Sequence, residues 1–427
     1  MNESFLYYVW QLQYFTKKDL RTTAGERIEI FKPGILNKDS GPDFSNAKIK
    51  IGNLDWVGTV EIHVKASAWK EHHHDTDAAY DSVILHVVWE NDKPVLRADN
   101  TMMPTLELLP LVEKSLLVAY KKLINSPTSI PCEKLFSTVN ELVKISMLDR
   151  ALMQRLELKA AQVIQLFNHN QNDWEEITYQ LLARNFGFKV NYEPFFRLSH
   201  AVPYKVLLKH GDNLLQMESL LFGQAGFIDH ALKDEYMKNL QREYQMLSKK
   251  YKLENMQLNK SVWKYLRLRP ANFPTLRIAQ FSALFFQRQN LFSQLVESEN
   301  LQDLKSIFNV TPSEYWDHHY RFGHKTVRSL AGLGESSIDN LVINTVTPLL
   351  VAYGKQKDDQ SFVDRAVNFL QHIQPESNKI TKVWAEVGLP AKSAFDSQGL
   401  IELNNNYCLK RRCLSCTIGS SILKPFA

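Results

Sequence analysis

Two acids and a run of histidines near the N-terminal end carry the residue types that hydrolytic chemistry needs. The stretch Gly41–Glu90 reads GPDFSNAKIKIGNLDWVGTVEIHVKASAWKEHHHDTDAAYDSVILHVVWE. It places Pro42-Asp43 ahead of Glu61-Ile62-His63, with seventeen residues between the two acids. A strand pair joined by a tight turn would bring Asp43 and Glu61 together at one end of a sheet. Two carboxylates and a backbone carbonyl then make a hard-oxygen site suited to Mg²⁺ or Mn²⁺. Such an ion polarises a phosphoryl oxygen and lowers the pKa of a bound water. His63 and Lys65 share the strand face of Glu61 and are candidates to orient the nucleophile or neutralise developing charge. The plain alternative is a Pro-Asp turn and a strand glutamate with no chemistry between them.

A second group follows: His72, His73, His74, Asp77 and Tyr80. A helix beginning near Asp75 would put Asp77 and Tyr80 on one face, three residues apart. His72 and His74 offer nitrogen ligands for a separate zinc site, or belong to a solvated histidine-rich loop. His86, inside an apolar run, reads as a hydrogen-bonded core histidine.

The chain has only four cysteines, Cys132 and the cluster Cys408-x4-Cys413-x2-Cys416. In a reducing compartment so clustered a set suggests metal rather than disulfides. Four thiolates suffice for tetrahedral Zn²⁺ or for an iron–sulfur cluster; reduced thiols packed near the C-terminus are the alternative. Lys410, Arg411 and Arg412 give the same loop a basic tip, to meet phosphate or solvent.

The elements that must position these residues are legible in outline. Residues 4–15 put Phe5, Tyr8, Val9, Leu12 and Phe15 on a helical stripe, with Ser4 as its N-cap. Residues 27–31 and 47–51 read as strands. Residues 56–65 alternate, with Val60, Ile62 and Val64 on one face and Thr59, Glu61, His63 and Lys65 on the other. Residues 83–89, VILHVVW, are apolar on both faces, as in a strand buried mid-sheet. Beyond a linker-like stretch at 125–131 the pattern turns helical, with helices expected from 142 to 167 and around 173–185, 204–222, 233–250, 275–297, 337–354 and 361–373. The fold class expected is mixed α+β: an N-terminal α/β core of helix, three strands, helix and strand, then a large all-helical region. The domains expected are 1–120, 121–400 and a cysteine tail at 401–427.

The order of elements, with Pro42-Asp43 and Glu61-Ile62-His63, resembles the PD-(D/E)XK nuclease superfamily, whose core is restriction-endonuclease-like. The resemblance covers about a quarter of the chain and departs from the pattern at His63, where that superfamily carries lysine; Lys65 lies two residues on. It implies that Asp43 and Glu61 hold the ion and that Asp77 and Tyr80 bind substrate. Some nucleases of that superfamily carry a four-cysteine iron–sulfur staple, with the distant cysteine ahead of the core; here Cys132 follows it. The longer signature GPDF…W-x-G-x-VEIH…H-x-H-x-x-D-x-x-Y…VILHVV resembles an uncharacterised bacterial family of unknown function. That likeness extends over nearly the whole chain, the C-terminal cysteines included, and brings no activity with it.

Composition limits the classes of function. Over 427 residues the formal charge is +5, with 44% hydrophobic and 23% charged residues, ordinary for a globular protein of more than one domain. That charge permits a nucleic-acid partner without demanding one. The N-terminus lacks the pattern of a secretory signal, and no apolar run reaches the roughly 18 residues of a membrane span, so a cytoplasmic protein with no membrane partner is expected. Oligomeric state is not encoded legibly. The leading expectation is a Mg²⁺- or Mn²⁺-dependent phosphodiesterase acting on DNA or RNA. Its rivals are a non-catalytic nucleic-acid-binding protein with a degenerate nuclease fold and a helical protein-interaction scaffold. LRLRPANFPTLRIAQ (266–280) and YWDHHYRFGHK (315–325) put arginines and histidines beside aromatics, as either nucleic-acid contacts or structural pairs.

Overall fold

The computed structural model describes residues 1–228, 234–327 and 332–424. Residue 233, where one expected helix begins, and residues 425–427 of the expected tail lie outside them. The fold is mixed α+β, with an N-terminal sheet and a large helical region. Contacts divide the chain into one unit of Met1–Met147 with Leu403–Ala427, and another of Leu148–Glu402. Residues 121–147 and the cysteine tail thus group with the sheet, whereas the sequence suggested boundaries at 120 and 400.

In the first unit, helix α1 (Glu3–Leu12) precedes strands β1 (Ile28–Lys32), β2 (Ile35–Leu36), β3 (Phe44–Ile51) and β4 (Leu54–Lys65). A one-turn helix α2 (Ala68–Glu71), strands β5 (Val83–Glu90) and β6 (Thr105–Glu107) and helix α3 (Lys114–Ile124) follow. The sheet order is β1-β3-β4-β5-β6, with β2 added to β3. β3 and β4 form an antiparallel hairpin, while β5 runs parallel to β4 and β6 parallel to β5. Two parallel neighbours require the chain to cross over between β4 and β5. That crossover, residues 66–82, is where the histidine run lies.

The central strands are buried on both faces. Val60, Ile62, Leu85 and Val87 are fully enclosed, as is Phe44 at the start of β3. Each such side chain contributes about 1.5–3 kcal/mol of burial. α1 lies against β4, and its Phe5, Leu6, Val9 and Trp10 are fully buried. Asn2 rather than Ser4 caps this helix, its side chain accepting from the Phe5 N–H, and the helix ends at Leu12. Gly58 lets β4 and β5 approach closely: a Cβ there would stand 2.6 Å from the Ser82 carbonyl, which accepts from the Thr59 N–H at 2.9 Å.

The expected helix from Asp75 does not form. The chain turns at His73, whose φ is +62°, and Asp77 caps a single 3₁₀ turn, Ala78–Tyr80, by accepting from the Ala79 N–H. Asp and Asn prefer such local turns to helix interiors.

The helical unit has its own core, including Tyr179, Phe186, Phe195, Phe281 and Leu349. It is entered along a 29-residue helix, α4 (Glu141–His169). Two expected helices are each broken in two, at Tyr204–Leu208 with Leu214–Gln224 and at Pro274–Gln287 with Leu291–Glu297. Asn213 and Asn290 sit at the second starts, Asn213 as a side-chain cap and Asn290 at a φ of +51°. The 337–354 helix contains a π-helical turn, Val342–Val346. Residues 319–325 form a short hairpin rather than helix. Among the described residues no helix is long and apolar enough to cross a membrane.

Candidate metal centre

Asp43 and Glu61 meet where the β3–β4 pairing begins. Phe44 stands opposite Val60, and a bulge between Phe44 and Ala47 re-aims the start of β3, as bulges beside functional sites commonly do. The Asp43 N–H donates to Glu61 Oε2 at 3.0 Å, and the Ile62 N–H donates to Asp43 Oδ2 at 2.9 Å. The other Asp43 oxygen accepts from the Tyr7 hydroxyl at 2.7 Å. Asp43 is therefore locked on both oxygens, and its backbone orients Glu61. α1 supplies Tyr7 from above the strand ends; Glu3, one helical turn earlier, also senses Asp43.

His63 lies two residues past Glu61 on β4, and the crossover folds His72 and His74 back onto it. The ligating atoms of His63, His72 and His74 all lie within 4.8 Å of one another. His63 Nε2 is 3.3 Å from His72 Nδ1. Glu61 Oε1 stands 3.6 Å from His63 Nε2 and 3.4 Å from His74 Nε2. A tetrahedron with metal–nitrogen arms of about 2.0–2.1 Å has edges of about 3.3 Å. The spacing therefore suits one ion held by three imidazoles with Glu61 at its edge.

The crossover reaches this position because Trp69, 2% exposed, anchors α2 in the core, and the His74 N–H donates to the Trp69 carbonyl at 3.1 Å. Tyr80 stacks on the His74 ring with centroids 3.7 Å apart. Behind the cluster, His86 on β5 stands directly across from Glu61, and its Nε2 is 2.9 Å from His63 Nδ1. That contact leaves His63 Nε2 facing His72 and fixes the ring's orientation, the usual arrangement behind a metal-bound histidine.

Burial dominates the electrostatics of the cluster. Burial, then the neighbouring Asp43 charge, pushes the Glu61 carboxyl up to about 8. Burial also raises Asp43 and drives the Tyr7 hydroxyl well above its ordinary value, with the Asp43 hydrogen bond adding to it. Burial, followed by His74 and His72, lowers His63 to about 3. His74 and His86 are lowered for the same first reason, burial. His74 Nε2 and His86 Nδ1 are buried without a hydrogen-bond partner. Acids that resist losing a proton and imidazoles that resist gaining one both change sense beside a divalent ion. Three nitrogens and one carboxylate oxygen form a donor set for Zn²⁺, or for Mn²⁺ or Fe²⁺ with added water, more than for Mg²⁺.

Of the residues singled out in the sequence, Asp43, Glu61 and His63 come together. Lys65 does not join them: it is exposed at the end of β4 opposite Glu90. Asp77 serves as a cap, with its side chain turned to its own turn, and Tyr80 reaches the cluster through His74. Tyr7 and the union of His63 with His72 and His74 escaped the sequence reading. Tyr7 lay off the apolar stripe of α1, and only a folded crossover joins the histidines.

The four cysteines all fall in the sheet-containing unit. They are buried and form no disulfide.

No curated protein and no solved structure matches the chain. A family model described as a protein of unknown function (DUF2851) matches residues 3–379. The match includes Asp43, Glu61 and every histidine of the cluster and stops short of Cys408, Cys413 and Cys416, which the likeness in sequence is expected to include. The chain belongs to the DUF2851 family.

Proposed function

We propose that this protein is a metal-dependent hydrolase of phosphodiester bonds in nucleic acid, with one transition-metal ion held by His63, His72 and His74. The observation that carries the reading is the convergence of three imidazoles within 4.8 Å beside a carboxylate whose position is fixed by Asp43. The ion would polarise a phosphoryl oxygen and supply a hydroxide near neutral pH. Glu61 would ligate the ion or take the water's proton, its raised pKa suiting a base that works near neutrality. His86 positions His63, and Tyr80 packs against His74 at the edge of the site.

The choice of nucleic acid rests on the helix, antiparallel hairpin, crossover and parallel strand, an order similar to the PD-(D/E)XK core. Aromatic and basic side chains on the same sheet add support. Phe31 and Trp56 are exposed, and Lys48 lies over the Phe31 ring at 5.5 Å, a combination suited to bases and backbone. Asp43 departs from that superfamily's role. It holds Glu61 and Tyr7 instead of facing the ion with a free oxygen.

The test is cleavage of single- and double-stranded DNA and RNA by metal-stripped protein resupplied with Zn²⁺, Mn²⁺ or Mg²⁺. Cutting restored by Zn²⁺ or Mn²⁺, and lost in His72→Ala and Glu61→Gln, is expected. Metal binding with salt-sensitive nucleic-acid binding but no cutting would replace hydrolysis with a binding role.

A further inference from the structure

The cysteines are not absorbed by that reading, and they form a second constellation. Cys132 opens the 3₁₀ turn Glu133–Thr138. Cys408 closes the π-helical segment Leu403–Cys408, Cys413 begins the turn Cys413–Ser415, and Cys416 caps the helix Thr417–Leu423. All four are between 6% and 8% exposed. Backbone turns gather them: the Cys416 N–H donates to the Cys413 carbonyl at 3.3 Å and the Arg411 N–H to the Cys408 carbonyl at 3.1 Å, and Arg411 reaches the segment that leads to Cys132; in keeping with this, Cys408 senses the charges of Cys132, Cys416 and Cys413. Thiols in apolar surroundings are inert and hard to ionise, and burial indeed pushes Cys132 up to about 12 and Cys413 up to about 11. Four buried thiols in one unit suffice as hydrophobes, and they also form the ligand number of a four-thiolate metal site.

The chain is built to close this space. Arg411 adopts a φ of +53° and turns inward instead of making a basic tip. Its Nη2 donates to the Ser126 carbonyl at 2.7 Å and to that of Thr128 at 3.0 Å, and its Nη1 donates to the Cys408 carbonyl at 3.2 Å. One guanidinium thus clamps the tail onto the segment leading to Cys132 and puts a positive charge beside the sulfurs. Gly419 lets the last helix sit on the Cys413 turn, where a Cβ would meet the Cys413 carbonyl at 2.3 Å. Tyr8, on the helix that carries Tyr7, donates to the Ser420 carbonyl at 3.2 Å.

The spacing separates the two metal chemistries. In a tetrahedral zinc site every pair of thiolates is about 3.8 Å apart, because each binds the same ion at about 2.3 Å. Among the described residues, the group of three or more ligands within 4.8 Å of one another is the histidine set, not any three of the cysteines. In an iron–sulfur cluster the thiolates bind different irons and stand further apart.

We propose that Cys132, Cys408, Cys413 and Cys416 ligate an iron–sulfur cluster that fastens the C-terminal tail to the sheet-containing unit. Assembly is ligand exchange with no net redox step. Each thiol gives its proton to solvent as its sulfur bonds to one iron of a cluster built from sulfide and either ferric iron alone, for two irons, or ferric and ferrous iron in equal number, for four, so that no iron changes oxidation state. The same spacing of cysteines, x4 then x2, occurs in iron–sulfur proteins. The cluster would hold the tail against α1, and so support the helix that presents Tyr7 to Asp43.

The experiment is anaerobic purification of the full chain, with reconstitution by ferric and ferrous iron and sulfide, followed by iron, zinc and acid-labile sulfide analysis. It is run also on a His72→Ala/His74→Ala variant, so that iron at the histidine site cannot be mistaken for the cluster. The expected result is iron and sulfide in equal amounts, about two to four of each per chain, in both proteins. A visible absorption bleached by dithionite should accompany them. Electron paramagnetic resonance of the reduced protein then assigns the number of irons. Cys413→Ser should lose most iron and sulfide, and proteolysis should then cut the tail at least tenfold faster. One zinc per chain without sulfide in the histidine variant would overturn the proposal, and so would failure of the reconstituted wild type to hold iron with sulfide. Because both of these proteins keep all four cysteines, the outcome does not depend on whether the cysteine variant folds, and it leaves the hydrolase reading untouched.

Discussion

Both units of this protein bury charge, in opposite ways. In the helical unit Arg155 Nε donates to Gln398 Oε1 at 2.6 Å, with Nη1 3.6 Å from Glu402. Lys159 Nζ donates to Asn344 Oδ1 at 2.9 Å and to Gln398 Oε1 at 3.1 Å, while the Gln398 amide donates to Glu376. Two cations, two anions and two amides satisfy one another, as buried networks must. The sheet-containing unit gathers groups of one kind. Glu61 neighbours Asp43, and His63 neighbours His72, His74 and His86. A self-complementary network holds a fold together, whereas the histidine cluster leaves His74 Nε2 and His86 Nδ1 buried without a hydrogen-bond partner.

The largest expected effect follows from exchanging one member of each. Arg155→Met should cost about 3–5 kcal/mol in denaturant unfolding, because Glu402 and Glu376 lose their buried cation, with metal affinity unchanged. Glu61→Gln should do the reverse. It removes a desolvated acid beside Asp43, so the metal-free protein should melt no lower than wild type. Its zinc affinity, by competition with a chromogenic chelator, should fall at least about tenfold. If both variants destabilise alike, the two clusters are of one kind and the comparison fails.

A smaller effect is expected behind the site. His86→Phe removes the partner of His63 Nδ1 and also a ring nitrogen that is buried without a partner. Metal affinity should drop about 10–100-fold, with thermal stability held or slightly raised, the trade-off common where function is built from strained polar groups. Calorimetric titration beside a melting curve separates the two.

Acid–base linkage gives a third test, with a definite sign. Glu61 is raised from 4.5 to about 8 on folding, so between those values the folded state binds the proton that the unfolded state has lost. Metal-free stability attributable to Glu61 therefore falls as pH rises through that window. His63, lowered from 6.5 to about 3, acts oppositely: the stability it costs at acid pH is regained as pH rises towards 6.5. From pH 6.5 to 8 only the Glu61 trend remains within this pair. Lys159 and Glu218 in the helical unit are each shifted to about 7 and overlap that range, so the measurement is the difference between wild type and Glu61→Gln. The difference should grow in favour of the variant from pH 6.5 to 8. Added Zn²⁺, which displaces the Glu61 proton, should reverse it for wild type alone.

Much of the scaffold was legible in the sequence because it follows from periodicity. The alternation through 56–65 and the double-faced apolar run at 83–89 became β4 and the buried β5. The pairing of Asp43 with Glu61 followed from a hairpin. The rest depended on turns that periodicity does not encode. His73 must take a left-handed conformation and Trp69 must enter the core before His72 and His74 can reach His63. Arg411 reads in sequence as part of a basic loop tip, but its left-handed backbone turns it onto three carbonyls. The broken helices at 209–213 and 288–290 show the same limit: apolar spacing continues across a kink, and only local capping by Asn213 or the φ of Asn290 reveals it.

Lys65 offers the smallest predicted effect. It occupies the face of Glu61 and His63, and a nuclease-type argument would make it the cation of the site. In a strand, however, four residues carry the backbone about 13 Å beyond Glu61, and Lys65 is exposed there, opposite Glu90. Its nearer electrostatic partner is Asp92. That carboxyl, partly desolvated but hydrogen-bonded by Ser67 and facing Lys65, is held below the usual carboxylate range. Lys65→Ala should therefore change metal affinity and any metal-dependent cleavage less than about twofold, and stability by no more than about 0.5 kcal/mol, as for an ordinary surface site. A hundredfold loss of cleavage with metal affinity intact would mean that the lysine reaches the substrate. The ion would then serve beside a superfamily-like cation, and the imidazoles would not be sufficient for the chemistry proposed.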